Sequence, residues 1–542
     1  MRKTSWIRAV AALAALAIAA AACGGDNDAI DDGATTTAAP EAADTSEAAE
    51  DSSDELTFEE LVEQEEAEPE AEAGAEPEAE AAVPADASEP EDDTPDGVTA
   101  EADAAAAETV EPEEVDEPEP VDICDTATPE AVETGVTAEE IIVVVAADVD
   151  TPLAPGLFQG AFDGVDAWAE HVNATGGLAC RQVRVEQFDT VLNPNESVNA
   201  QLFACENALA MVGTTALFVF DVTALNSCPD SEGNGIGLPD IAQLTTEVGH
   251  QCSANTFAVI APQGACPFTG GERRYGERVG HIRWFQENID PDLLGVFLVP
   301  ADLPSTRVTA VTTVQAAVEG LGIESVGEWG ISGNDLQPVY AEFVQAIADS
   351  GANYARTGSD LRSLVKFRSE AAAQGVDVEI WECTIACYDQ AIFETGGGVE
   401  DGTYITIFQI PFEEAYTNAE LQAFVDGMDG NPSAFASNAW ASGVLLQDAI
   451  NDIIDETGDI NAITRANVLD ALKRIDSFDA HGMIGATNPV AGVGNDCFVL
   501  LQIQGQEFVR IHPAEAGTMD CDPANKVEIT MDAAAYVNDH LK

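Results

Sequence analysis

Between residues 135 and 177 the chain reads GVTAEEIIVVVAADVDTPLAPGLFQGAFDGVDAWAEHVNATGG, and this stretch restricts the folds open to everything after it. Residues 141–147 are an unbroken apolar run rich in β-branched side chains. A strand buried on both faces of a parallel sheet has that composition. Pro152, Pro155 and Gly156 break residues 148–159 into a loop. Ala161, Val165, Trp168 and Val172 then recur at helical spacing, with Asp163, Asp166 and Glu170 on the opposite face. Residues 173–177 stop that helix, and a second strand is predicted over 183–188. The unit is βαβ, and sheets of this type bind ligands beyond the carboxyl ends of their strands.

Ahead of this unit lies a different kind of sequence. Residues 1–22 carry Arg2, Lys3 and Arg8 before the apolar run 9–22. That run is short for a membrane span and reads as an export signal. It ends at Cys23-Gly24-Gly25, which resembles a bacterial lipoprotein signal, although Ala20 stands where leucine is usual. The resemblance implies that Cys23 takes a lipid and anchors the chain to the membrane; ordinary cleavage is the alternative. Residues 23–134 are rich in Glu, Asp, Ala and Pro, with no Lys or Arg between Arg8 and Arg181. Such a stretch cannot bury a core and is expected to be a disordered acidic tether. It serves as a spacer or as a solubilising tail.

The formal charge of the whole chain is −79, and lysine beyond the tether is limited to Lys366, Lys473, Lys526 and Lys542. This charge excludes nucleic acid as a partner. Besides Cys23 there are Cys124, Cys180, Cys205, Cys228, Cys252, Cys266, Cys383, Cys387, Cys497 and Cys521. An even set in an exported chain reads as disulfides. Pairings Cys180–Cys205, Cys228–Cys252 and Cys497–Cys521 would each close a loop of about 25 residues and contribute about 3 kcal/mol. Cys383 and Cys387 pair locally or reach elsewhere. With no CxxC spacing and scattered histidines, neither zinc nor any other cofactor is expected.

After residue 177 helix and strand patterns alternate. Helices are predicted over 195–206, 275–287, 306–321, 338–350, 361–374, 421–428, 436–454 and 465–475. Strands are predicted over 208–212, 240–244, 294–300, 325–329, 378–381 and 404–408, with a hairpin over 497–511 turning near Gly505. About 400 residues of this kind exceed one comfortable core, so two α/β lobes are expected. Catalytic motifs are missing: there is no GxSxG, HExxH or Walker loop. The run Gly233-Asn234-Gly235-Ile236-Gly237 lies in a loop and reads as a turn rather than a dinucleotide fingerprint. The chain is therefore not expected to be an enzyme.

The order GVT, EI, apolar strand, PLA, paired glycines, AxxGxxAW, VNxxGG, R and V resembles the start of type I periplasmic binding proteins. These are solute-binding subunits of ABC importers, typified by the leucine/isoleucine/valine-binding protein. The resemblance runs from residue 135 to near the C-terminus. It implies two doubly wound α/β lobes joined by a multi-strand hinge, with crossovers near Phe268, near Pro411 and near the C-terminal hairpin. Lobe one would comprise about 136–268 and 412–496, and lobe two about 269–411 and 497–542. It further implies a ligand such as an amino acid or amide, and an ABC permease as membrane partner. A membrane-tethered sensor and an envelope lipoprotein without transport role are the competing functions.

By position the resemblance assigns Thr214, Thr215, Thr245 and Thr246 to the ligand carboxylate, Phe158 to a lid, and Glu382 or Tyr388 to the ammonium. The alternatives are helix caps for the threonines, packing for Phe158, a solvated Glu382 and a core Tyr388. Two departures stand out. Ala216-Leu217-Phe218 replaces the family's serine-rich run, and Ala301-Asp302-Leu303-Pro304 stands where the family has a tyrosine. The acidity carries a consequence of its own: self-repulsion opposes compaction until salt screens it. Added NaCl should raise the melting temperature of the mature protein, as read by differential scanning calorimetry.

Overall fold

The computed structural model describes residues 123–151, 155–261, 264–302 and 304–541. The signal segment, Cys23 and the acidic stretch up to residue 122 lie outside these residues. Strand β1 (Glu140–Ala147) is buried at every position but its first, as its apolar run requires. It pairs in parallel with β2 (Gln182–Asp189) and β3 (Ala210–Thr214), and β4 (Asp240–Ala242) follows β3, giving the order β2-β1-β3-β4. The helix Gln159–Ala174 packs Val165 and Trp168 with Val143 and Val145 on one face of this sheet. The helix Pro194–Asn207 packs Ala200 and Ala204 with Val144 and Ala146 on the other. The sheet is thus doubly wound.

A later stretch of chain completes this lobe. The helix Ala434–Thr457, capped by the Ser433 hydroxyl, contributes Ala439, Trp440 and Val444 to the same core as Val165. Two glycines permit the close approach. A Cβ on Gly164 would stand 2.1 Å from the Ala436 carbonyl oxygen, and one on Gly443 would stand 2.2 Å from the Trp168 ring.

The second lobe holds a seven-stranded sheet ordered β12-β11-β10-β9-β8-β6-β7. Strands β6 (Leu294–Pro300), β7 (Glu324–Ile331), β8 (Tyr354–Thr357), β9 (Ile380–Cys383) and β10 (Tyr404–Ile407) are parallel. The hairpin β11 (Val499–Gln504) and β12 (Glu507–His512) adds two antiparallel strands. A separate antiparallel pair joins β5 (Arg273–Arg278) to β13 (Lys526–Met531).

The strand β5 corrects the helix predicted over 275–287. Its sequence, RRYGER, alternates, with Arg273, Tyr275 and Glu277 turned inward, and the helix begins only at Gly280 (Gly280–Asn288). Its partner β13 and the closing helix Ala533–His540 carried no prediction. Strand β4 stops at Ala242, short of the predicted 244, because Leu244 leaves the ladder to bridge Ile260.

Chain crossings between the lobes lie side by side. Gln409 bridges Ile484, the Ile410 N–H donates to the Met483 carbonyl at 3.0 Å, and the Arg278 guanidinium sits 3.7 Å over the Phe408 ring.

Disulfides join Cys124–Cys180, Cys205–Cys228, Cys252–Cys266, Cys383–Cys387 and Cys497–Cys521. The expected Cys180–Cys205 and Cys228–Cys252 pairings are therefore incorrect. Loop length took no account of what lies beside each thiol. Cys180, in the turn before β2, meets Cys124 of the entering helix Ile123–Thr126, and Cys205 meets Cys228 beyond the helix Thr223–Ser227. Cys252 closes onto the first crossing instead.

The glycine contacts between the two lobe-one helices set a test. Gly164→Ala drives a methyl into a backbone carbonyl, and overpacking of this sort costs about 1–3 kcal/mol. Denaturant titration should show that loss despite the better helix propensity of alanine.

Candidate functional site

At the end of β1 the chain buries a carboxylate. Asp148 Oδ1 accepts from the Thr190 hydroxyl at 2.6 Å and from the Leu192 N–H at 2.7 Å, and Oδ2 accepts from the Leu217 N–H at 2.8 Å. Burial raises its pKa, partly offset by these hydrogen bonds. Asp189, closing β2, accepts from the Val149 and Asp150 N–H groups. The loop after β1 is thereby fastened to its neighbours. Phe158 is buried at its end, edge-on to Phe435 with ring centroids 4.9 Å apart. It packs on the helix Ala434–Thr457.

The next turn starts at Gly213, whose φ of +73° and pressure from Val165 both demand glycine. Thr214 donates its hydroxyl to Asp240 Oδ1 at 2.6 Å. The same carboxylate takes His250 Nε2 at 2.7 Å and the Thr256 hydroxyl at 3.0 Å. Thr215 Oγ1 lies 2.7 Å from both Gln243 Oε1 and the Gly213 carbonyl oxygen, which share its single hydrogen. Thr246 donates to the Leu217 carbonyl at 2.8 Å. The four threonines thus gather at the carboxyl ends of β3 and β4. The Thr245 hydroxyl alone among them is buried with no protein partner.

Lobe two holds Glu382 in a strand and Tyr388 in its core. Glu382 lies within β9, fully buried rather than solvated. It accepts from the Tyr354 hydroxyl, with His281 Nε2 at 3.1 Å and Arg356 Nε at 3.5 Å. Burial would raise its pKa, but His281 and Arg356 outweigh that and hold it at about 2. Tyr388 stacks on Phe412 at 4.8 Å. Its hydroxyl donates to Glu413 at 2.6 Å and accepts from the Phe412 N–H at 2.7 Å. Both side chains are engaged inside the protein, in separate places.

Gln243, Gln409 and Thr357 are among the other described residues that share this property with Thr245. Gln243 and Gln409 have their carbonyl oxygens taken by Thr215 and Ser437, while each Nε2 amide is buried without a protein partner. Thr357, the last residue of β8, has a buried, unpartnered hydroxyl. All sit at or just past the carboxyl ends of parallel strands. The sequence signal was present: IAQLTT and IFQIP each put a glutamine directly after an apolar strand. Among the described residues, no three His, Cys, Asp or Glu side chains gather closely enough to hold a metal ion.

Comparison with known proteins agrees with this architecture. A family model described as "Periplasmic binding protein" matches residues 140–507. An ABC transporter substrate-binding protein from Aeropyrum pernix superposes with a TM-score of 0.55 at 12% identity, covering 74% of this chain and 100% of that one. A fatty acid ABC transporter substrate-binding protein from Thermomonospora curvata gives 0.53 at 16%, covering 71% and 97%. A leucine-binding protein from Thermotoga maritima gives 0.51 at 12%, covering 69% and 97%. No curated protein sequence matches. With two doubly wound lobes, side-by-side crossings and a family match over most of its length, the chain belongs to the type I periplasmic binding proteins.

Proposed function

We propose that this protein is the solute-capturing subunit of an ABC importer, held outside the cell membrane by a lipid on Cys23 and handing a small polar solute of about amino-acid size to a permease. Its role is binding rather than catalysis. The observation that carries the reading is the set of buried, unpartnered polar atoms on Thr245, Gln243, Gln409 and Thr357, at strand ends of both lobes and at a crossing. Leaving such groups unpaired costs about 1–3 kcal/mol each, so a ligand that pairs them gains what folding gave up. Thr214, Thr215 and Thr246 position the turns, and Phe158 supports the loop after β1.

A thermal-shift screen over amino acids, amides and urea tests the reading. Thr245→Val should weaken the best ligand roughly tenfold to a hundredfold, the equivalent of about 1–3 kcal/mol. The melting temperature without ligand should stay unchanged, because the lost hydroxyl has no protein partner. Glu382→Gln should do the reverse and lower that temperature, since breaking a buried ion pair typically costs about 3–5 kcal/mol. Small-angle scattering should show compaction on ligand addition; tight binding without compaction contradicts closure of the lobes.

The anchor is tested separately. Cys23→Ala should release the mature protein from membranes, and the wild type should carry acyl mass; a soluble wild type without that mass removes the anchor from the proposal.

A further inference from the structure

Arginines inside this protein are met by oxygen. Arg273 donates to the Ala265 and Gly264 carbonyls, Arg465 to those of Pro229, Cys205 and Ala208, and Arg510 pairs with Glu414. Arg356 and His281 have Glu382 beside them, at 3.5 and 3.1 Å. Arg278, the last residue of β5, departs from this rule. Its Nε is buried without a hydrogen-bond partner, and among the described residues its guanidinium makes neither a hydrogen bond nor an ion pair. Two carboxylates are near enough for their charge to reach it, Glu277 and Asp496. Asp496 already has Lys526 Nζ at 3.5 Å, and Glu277 accepts from the Thr313 hydroxyl at 2.9 Å. Burial outweighs both and lowers the Arg278 pKa to about 10, so the group stays charged at neutral pH while poorly solvated.

Its position is the junction of the lobes. The guanidinium lies 3.7 Å over the ring of Phe408, which leads into the second crossing. A Cβ on Gly494, in the third crossing, would stand 4.0 Å from Arg278 Nη1 and 3.7 Å from the carbonyl oxygen of Ala261 in the first. An aromatic ring beneath the guanidinium occupies a face and leaves the N–H edge free. That edge is a planar fork matching the two oxygens of a carboxylate. A desolvated cation without a counter-ion is unfavourable, and an arriving anion relieves it. The unpartnered Nε2 of Gln409, one residue beyond Phe408, is a donor of the same use.

We infer that Arg278 is a carboxylate-binding site, holding that group where the three crossings meet, and that the captured solute supplies the carboxylate. The second clause rests on the solute-binding reading above and narrows its ligand class. A free carboxylate from the medium is the other source.

Sodium acetate probes the site without any solute. At matched ionic strength, acetate should raise the melting temperature of the mature protein above its value in sodium chloride. Arg278→Gln should lose that excess, and Arg278→Lys, which keeps the charge but not the fork, should retain a smaller one. No excess in wild type, or the same excess in wild type and variants, overturns the site. Calorimetric titration then identifies the source, with leucine against leucinamide, phenylalanine against phenylalaninamide, and N-acetylleucine against N-acetylleucinamide. Each acid should bind roughly tenfold to a hundredfold tighter than its amide, and Arg278→Gln should abolish the preference. A preference that survives Arg278→Gln overturns Arg278 as its holder. Amides that bind as tightly as their acids, with the acetate effect intact, overturn the solute as the source and leave the solute-binding reading standing. If no pair binds, the solute clause and that reading fall together, while the acetate comparison still decides Arg278.

Discussion

The carboxyl edge of lobe one depends on one buried charge. Asp148 is the first residue past β1, and it draws donors from residue 190, residue 192 and residue 217 onto its two oxygens. A carboxylate so placed is tolerable only while its lone pairs are met. Those partners lie in different βα connections, so satisfying Asp148 brings separate loops to one point. The turn at Gly213 and the inward threonines lie at that convergence. The interaction also binds strand order to site geometry, since β1 lies between β2 and β3.

Legibility in the sequence followed physical necessity. The run 141–147 was readable because a strand covered on both faces has no alternative to continuous apolar side chains, and the hairpin at Gly505 because a glycine turn between two apolar runs admits little else. Strand β5 was not readable. Its inward residues are Arg273, Tyr275 and Glu277, whose burial is sustained by partners distant in sequence, such as Gln251 for Arg273. The threonine turns could be located because they end strands. Which hydroxyl stays unpartnered could not, since that depends on Asp240, Gln243 and Leu217 across the turn. Glu382 shows the same limit: its sequence neighbours say nothing of Tyr354, His281 or Arg356.

Scarce positive charge is used inside. Arg181 donates to the carbonyls of Thr137, Ala179, Ile460 and Glu130, and Arg465 to those of Cys205, Ala208 and Pro229. Arg510 forms a two-pronged pair with Glu414, both contacts at 2.5 Å. The planar guanidinium suits such multiple acceptance better than lysine. Cations placed this way organise loops but do little to balance the acidic exterior.

The crossings have a mechanical meaning. One is cross-linked near its root by Cys252–Cys266, and the other two are laddered through Gln409 and Ile484. Linkers joined in this manner cannot lengthen or splay independently.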